Sequence, residues 1–240
     1  MQLILEDQVK LFTPYDEEFL KPLLNKDFEN SLYTSWLKNS LPKRCIFWHL
    51  YQDLLKKNEM KVLDVGGGIT PYTYSLKKEC KDYVLCDILA HDQFLRPSVE
   101  NFLYENDWLL LDPDPVDIII ANDIFPNADQ RLELFLDKFL PFCKEIRITI
   151  TFYNYNRFYI VQRLDAEEKL VFQAYNGEQC HNILVKYKSR IKDFDQALFD
   201  EIFYHNLEGS LYPNKRHIAL FTFFGDLNPK GAVSDYSKLL

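Results

Sequence analysis

The run Val62-Leu63-Asp64-Val65-Gly66-Gly67-Gly68-Ile69-Thr70-Pro71 places an acid two residues ahead of three consecutive glycines. Gly is scarce, with seven in the whole chain, so three together mark a place where bare main chain is wanted. The order reads as a buried strand, a tight turn that Gly66 and Gly68 permit, and a helix opened by Thr70 as cap with Pro71 in its first turn. A turn of this kind after the first parallel strand is where open α/β sheets bind their ligands. Pyrophosphate recognition asks for Gly-x-Gly-x-x-Gly, and Pro71 occupies the place of the third glycine. Asp64, facing the ligand as an anion, would repel a pyrophosphate and attract an ammonium or sulfonium. The chemistry expected of the turn is therefore the binding of a cationic small molecule.

Later residues extend the pattern. Asp87 ends the strand-like Tyr83-Val84-Leu85-Cys86-Asp87, twenty-three residues after Asp64. That is near the offset of roughly 20 residues at which such an acid accepts ribose hydroxyls. Asn106-Asp107-Trp108 follows a third strand, and Asn122-Asp123 ends a fourth.

With these positions, the glycine run resembles motif I of the class I, Rossmann-like S-adenosylmethionine-dependent methyltransferases, whose pattern is an acid, any residue, then Gly-x-Gly-x-Gly. Asp64, Gly66 and Gly68 match, and Thr70 stands where the last glycine would be. The resemblance covers roughly residues 60 to 152. It implies S-adenosylmethionine as cofactor, with Asp64, Gly66, Gly67 and Gly68 around the turn and Asp87 on the ribose hydroxyls. It further implies Ile88 against the adenine, Asp107 accepting from the adenine amino group and the Trp108 main chain at the ring edge. Asn122 and Asp123 would form the motif IV tip, where the donor methyl meets the acceptor. Taken singly, Asp87 and Asp107 also read as caps or loop acids, Trp108 as core, and Asn122-Asp123 as the cap of a helix beginning near Asn127.

Methyl transfer from a sulfonium is an in-line displacement, in which the protein mainly holds the reacting atoms about 3 Å apart in a water-poor cleft. A hydroxyl acceptor also wants a general base. Asp123 is the first candidate because of its place at the strand tip, and His91, His205 and His217 are the others. The Asn122 to Asn127 segment lacks the Asn-Pro-Pro-Tyr or Asp-Pro-Pro-Tyr signature of amino-group methylation. Tyr153, Tyr155 and Arg157 leave the end of a fifth strand beside the cleft. They offer aromatic faces for a sugar and a guanidinium for an anion, or else form a packed loop. From the family architecture, Arg44 and Trp48 would close over the site. The acceptor expected is a small soluble molecule, with a sugar or sugar-nucleotide hydroxyl as the narrower reading.

These residues need a scaffold. Ile46, Phe47, Leu50, Tyr51, Leu54 and Leu55 recur at the spacing of one helix face between Lys43 and Lys57, and the first sixty residues read as helical. From Lys61 onward, short apolar runs alternate with helical stretches, the pattern of a parallel sheet with crossover helices. Strands are predicted at Lys61 to Val65, Tyr83 to Cys86, Asn101 to Glu105, Asp117 to Ala121 and Glu145 to Tyr153. A helix is predicted at Asp129 to Leu140. Arg157 to Tyr175 reads as a hairpin or as a strand and helix, a helix is expected around Phe194 to Ile202, and Ile202 to Phe224 reads as two strands. The expected fold is α/β: a doubly wound, mostly parallel seven-stranded sheet over 59–225, with an N-terminal helical extension over 1–58 and a tail over 226–240.

The charge of −8, without a Lys/Arg-rich block, disfavours an extended nucleic-acid surface. No apolar run approaches the roughly 20 residues of a membrane span, and no signal-peptide pattern opens the chain, so a cytoplasmic protein is expected. Five cysteines lack any Cys-x-x-Cys or zinc-ligand spacing and read as buried thiols, with no metal site. Two other functions compete: an NAD(P)-dependent oxidoreductase, against which Asp64 and Pro71 argue, and a non-catalytic module that keeps the fold, which would have no need of Asp64.

Overall fold

Isoleucines at 146, 148 and 150 alternate with Arg147, Thr149 and Thr151, so one strand sends two different sets of side chains to the two faces of a sheet. The computed structural model describes residues 1–24, 31–89, 92–163, 168–204, 210–212 and 214–228. Its strands are β1 (Gln2–Leu3), β2 (Lys61–Val65), β3 (Asp82–Cys86), β4 (Leu103–Tyr104), β5 (Val116–Phe125), β6 (Cys143–Phe152), β7 (Arg157–Arg163), β8 (Glu168–Ala174) and β9 (His217–Phe224). Seven of them form one sheet in the order β1-β9-β6-β5-β2-β3-β4, and β7 with β8 makes a separate hairpin. Strands β2 to β6 pair in parallel, while β9 lies antiparallel between β6 and β1. This is the α/β, mostly parallel seven-stranded arrangement that the alternating pattern predicts.

Two local expectations are corrected. Gln2–Leu3 enter the sheet as its edge strand, so the first sixty residues are not purely helical. Among the described residues the segment from Ile202 supplies one strand rather than two, because Ile202 lies in the last turn of a helix that ends at Tyr204 and buries Phe199, Ile202 and Phe203 against the sheet. The segment 157–174 takes the hairpin alternative.

Helices α1 (Glu6–Tyr15), α2 (Lys21–Leu24), α3 (Leu32–Lys38), α4 (Leu41–Tyr51) and α5 (Pro71–Glu79) are followed by α6 (Arg96–Val99), α7 (Leu132–Phe139), α8 (Gly177–Leu184) and α9 (Gln196–Tyr204). Each face of the sheet has its own core. Leu63, Val65, Ile119, Ile146, Ile148 and Phe221 pack with α7, α8 and α9. Val62, Ile118, Ile120 and Ile218 pack with α1, α4 and α5. In α7 the predicted stripe of Leu132, Phe135, Leu136 and Phe139 is fully buried, each side chain stabilising the fold by about 1.5–3 kcal/mol. The five cysteines are free and buried. Among the described residues no helix is long and apolar enough to cross a membrane.

Helix α3 is short, and isolated helices of that length are marginal in water, so it is held from both ends. Asp92 accepts from Ser31 Oγ and from the Leu32 and Tyr33 main-chain N–H groups at 2.8, 2.8 and 3.1 Å. At the other end Arg44 donates to the Leu37 and Lys38 carbonyls at 2.6 and 2.9 Å. The same guanidinium grips Asp16 with two bonds, Nε–Oδ1 at 2.7 Å and Nη2–Oδ2 at 2.9 Å. The expectation that Arg44 binds substrate is thereby corrected: its donors are spent on Asp16 and the end of α3, and it is buried. Removing one member of a buried pair leaves the other uncompensated. Arg44→Met is expected to lower stability in urea unfolding by about 3–5 kcal/mol, and adding Asp16→Asn should recover part of that loss.

Candidate active site

Strand β2 leads to β3 on one side of the sheet, whereas β5 lies on its other side, so the sheet order reverses between β2 and β5. Open α/β sheets bind ligands at such a point, beyond the carboxyl ends of the strands. A cavity of about 550 Å³ lies there, walled by the glycine turn, Asp87, Asn122, Asp123, Trp108 and residues of α3 and α4. A second cavity of about 660 Å³ is lined by Trp48, His49, Arg147 and Thr222, on the same face of β6 and β9 as Thr149 and Ile218 but toward the amino end of β6. It touches no part of the glycine turn, and the first cavity is the better candidate despite its smaller volume.

The three glycines are needed for different reasons. Gly66 and Gly68 adopt φ of +69° and +68°, a region that strains residues with a Cβ. A Cβ on Gly66 would run into Ile124 Cδ1, and one on Gly68 would lie 2.8 Å from the Tyr33 ring. On Gly67 it would fall 2.5 Å from the Asp64 carboxylate.

Asp64 itself does not face the cavity, which corrects the expectation of an anion presented to the ligand. Strand parity places it on the same face as Val62, the one covered by α4 and α5, where it is 2% exposed. There the Tyr51 and Tyr83 hydroxyls donate to it at 2.8 and 2.7 Å. Burial pushes its pKa up to about 6; the two phenols oppose that rise and the Asp87 charge adds to it. Asp64 thus props the turn from beneath, with only the Gly67 main chain between it and the cavity. Neither tyrosine was foreseen, because the pairing joins positions 51, 64 and 83 on three separate elements.

Asp87 follows β3, and its oxygens accept from the Gly68 and Leu89 main-chain N–H groups at 3.0 and 2.8 Å. Asp87 lines the cavity wall beside the glycine turn. Ile88 beside it lines the cavity and is 65% exposed. Asp107 caps a short turn through Leu109 N–H at 2.8 Å, and its other oxygen accepts from Arg131 Nη2 at 2.8 Å. Arg131 also pairs with Asp129 and lies over the Trp108 ring at 4.7 Å, while Trp108 Nε1 donates to Asp129 at 2.8 Å. Arg131 is held above its ordinary pKa chiefly by Asp129. Among the described residues this wall carries three carboxylates, Asp87, Asp107 and Asp129, and one cation, Arg131.

The opposite wall is different. Asn122 and Asp123 lie within β5, not at a helix cap, where pairing with β6 shifts register between Ala121 and Phe125. Asn122 Oδ1 is buried with no hydrogen-bond partner. Asp123, at φ +59°, donates its N–H to Thr149 Oγ1 at 2.6 Å. Its carboxylate faces Arg216 Nη1 at 3.3 and 3.5 Å and Lys43 Nζ at 3.8 Å. Arg216 would be pushed down by burial, but the Asp123 charge keeps it above its ordinary value. Lys43, Phe47 and Tyr51 form one stripe of α4 along the cavity, while Arg44 and Trp48 fall on the next stripe. Trp48 instead stacks with Tyr15 and Phe19, so the expectation that it closes the site is corrected. Tyr33 and Trp36 of α3 take that place.

The aromatic run after β6 also lies elsewhere. Tyr153 is buried with its hydroxyl on Tyr159 at 2.7 Å, and Arg157 sits over Tyr155 and Tyr159 at 4.8 and 5.3 Å. None of Tyr153, Tyr155 and Arg157 lines the cavity; Val171 and Phe172 of β8 reach it instead. His217 is bonded to Asn154 at 2.8 Å and stacked on Phe152, away from the cavity. His91 and His205 lie outside the described residues.

The sequence matches no protein-family model and none of the curated proteins. Among solved structures, the fold is similar to the 1,6-didemethyltoxoflavin-N1-methyltransferase of Burkholderia thailandensis with bound 1,6-didemethyltoxoflavin and S-adenosylhomocysteine. That pair shares 13% identity over 76% of this chain and 77% of the other, with a TM-score of 0.48. The protein PH0226 of Pyrococcus horikoshii is similar at 14% identity, covering 78% of this chain and 93% of its own, with a TM-score of 0.48. The N-methyltransferase NodS of Bradyrhizobium japonicum, in complex with S-adenosylhomocysteine, is similar at 9% identity, covering 87% and 97%, with a TM-score of 0.46. These TM-scores are all below 0.5.

Asp64 gives a pH test. Its folded-state pKa of about 6 exceeds the ordinary 3.8, so the folded chain holds this proton more tightly than the unfolded one. The resulting stabilisation is complete below the lower value and is lost as pH rises through the higher one, a difference on the order of 3 kcal/mol. In urea unfolding, the wild-type advantage over Asp64→Asn should shrink by that order between pH 4 and pH 7; an advantage independent of pH would contradict the burial. Gly68→Ala is expected to lose about 1–2 kcal/mol through its left-handed backbone and to displace Tyr33.

Proposed function

We propose that this chain is a methyltransferase that uses S-adenosylmethionine and acts on a small soluble acceptor. The observation that carries this reading is one cavity with two electrostatic ends. Among the described residues, Asp87, Asp107 and Asp129 outnumber Arg131 at the end beside the glycine turn, and Lys43 with Arg216 outnumbers Asp123 at the other. The acidic end favours a ligand that brings positive charge and hydroxyl donors and disfavours a pyrophosphate.

The residues present fit such a donor. Gly66 and Gly67 present bare main chain to the cavity, Asp87 offers its carboxylate to ribose hydroxyls, and Asn122 Oδ1 awaits a donor. Ile88 and Trp108 give apolar surface for an adenine, beside Asp107. When bound, the cofactor supplies an electrophilic methyl group on a sulfonium. The chain's own part is to orient and to exclude water: Tyr33, Trp36, Phe47 and Phe172 wall the cavity with apolar surface, and a drier site strengthens every charge interaction within it. Asp123, set by the β5 irregularity and Thr149, fixes the two cations opposite the turn. The narrower reading of a sugar hydroxyl drew on Tyr155 and Arg157; with both outside the cavity, acceptor recognition passes to Trp36, Lys43, Asp123 and Arg216.

Calorimetry tests the proposal. S-adenosylmethionine and S-adenosylhomocysteine should bind the wild-type chain, and Asp87→Ala should weaken both by tenfold or more, about 1.4 kcal/mol. NAD should give no heat. Binding of NAD at the glycine turn, or binding of none of the three, would defeat the proposal.

A further inference from the structure

The ion pairs at the basic end of the cavity are looser than the buried pair of Arg44 and Asp16. Arg44 meets Asp16 through two nitrogens at 2.7 and 2.9 Å, whereas Arg216 reaches Asp123 through Nη1 alone, at 3.3 and 3.5 Å, and Lys43 stands 3.8 Å away. Two cations share one carboxylate, and Asp123 is the only carboxylate whose charge acts on Arg216 among the described residues. The Arg216 side chain is 11% exposed and lies over the Tyr212 ring at 4.2 Å, and its Nε is buried without a hydrogen-bond partner. A buried guanidinium donor without a partner costs free energy that an arriving acceptor would recover. Among the described residues Arg216 and Lys43 both face the cavity, and such donors take up an anion through charge-assisted hydrogen bonds. Arg157, the cation that the sequence pointed to for this task, is exposed and stacked on tyrosines away from the cavity.

We infer that the acceptor carries an oxyanion, a carboxylate or a phosphate group, and that Arg216 and Lys43 bind it at the end of the cavity opposite the glycine turn. The inference rests on the methyltransferase reading for the word acceptor, but the anion site itself stands on these two cations. Phe172, Trp36 and Ile218 bound the same end, so the molecule pairs a charged group with an apolar or aromatic body. The Lys43 ammonium lies over the Trp36 ring at 5.4 Å and its side chain is 33% exposed, against 11% for Arg216.

The test uses the full chain saturated with S-adenosylhomocysteine, titrated separately with inorganic phosphate and with acetate. At least one of the two should bind, the tighter one naming the acceptor's charged group. Arg216→Gln should weaken that binding about tenfold or more and Lys43→Gln by a smaller factor, in line with the loss of charge-assisted hydrogen bonds. Arg157→Gln should leave it unchanged, and S-adenosylhomocysteine affinity should move less than about twofold in all three. Should Arg216→Gln fail to fold, Lys43→Gln alone decides. Anion binding that is absent from the wild type, or indifferent to both Lys43 and Arg216, overturns the inference. If S-adenosylhomocysteine does not bind, the same titrations on the chain alone still read the anion site, so the two proposals fail separately.

Discussion

A carboxylate that the solvent cannot reach organises this molecule. Asp64 takes a hydrogen bond from Tyr51 at the end of α4 and another from Tyr83 on β3, and its oxygens fill the space that a side chain on Gly67 would need. One buried group therefore ties the helical layer, two neighbouring strands and the glycine turn into a single unit. Its satisfaction by two phenols is what makes burial tolerable, since an unpaired carboxylate there would cost several kcal/mol. The price of that arrangement is a group whose proton is held more firmly in the folded chain than outside it.

The cavity inherits its shape from this unit and its roof from α3. That helix is too short to be stable alone, and it persists because Asp92 holds its first turn and Arg44 its last. Arg44 and Asp16 thus act on the site at a distance: they place Tyr33 and Trp36 without touching anything that would bind there. The β5 irregularity does the same for the floor. It turns Asp123 into the left-handed region and leaves Asn122 Oδ1 buried without a partner, a combination that natural structures tolerate where function requires it.

Charge is distributed along the cavity rather than concentrated in it. At one end the Arg131 guanidinium is spent on Asp107 and Asp129 and on the Trp108 face, which locks the wall in place and leaves it net acidic. At the other, Lys43 and Arg216 face the Asp123 carboxylate, a basic balance among the described residues. A single ligand of either sign would satisfy only half of such a cavity; a cationic donor and an anionic acceptor would satisfy both.

The sequence by itself determined the parallel sheet, the glycine turn and the wall positions Asp87, Asp107, Trp108, Asn122 and Asp123, because each follows from local rules. Alternation marks strands, glycine marks positive φ, and residues at strand ends come to the switch point wherever the sheet is parallel. Only the tertiary structure decided which side chains face the cavity. Asp64 turned away from it because strand parity pointed it under α4, and Arg44 and Trp48 missed it by one helical stripe. Arg157 lost its place to Arg216, which lies fifty-nine residues further along the chain. Tyr51, Tyr83, Lys43 and Arg216 carried no local signal, since their partners lie on other elements, and long-range pairing of that kind leaves no spacing to read.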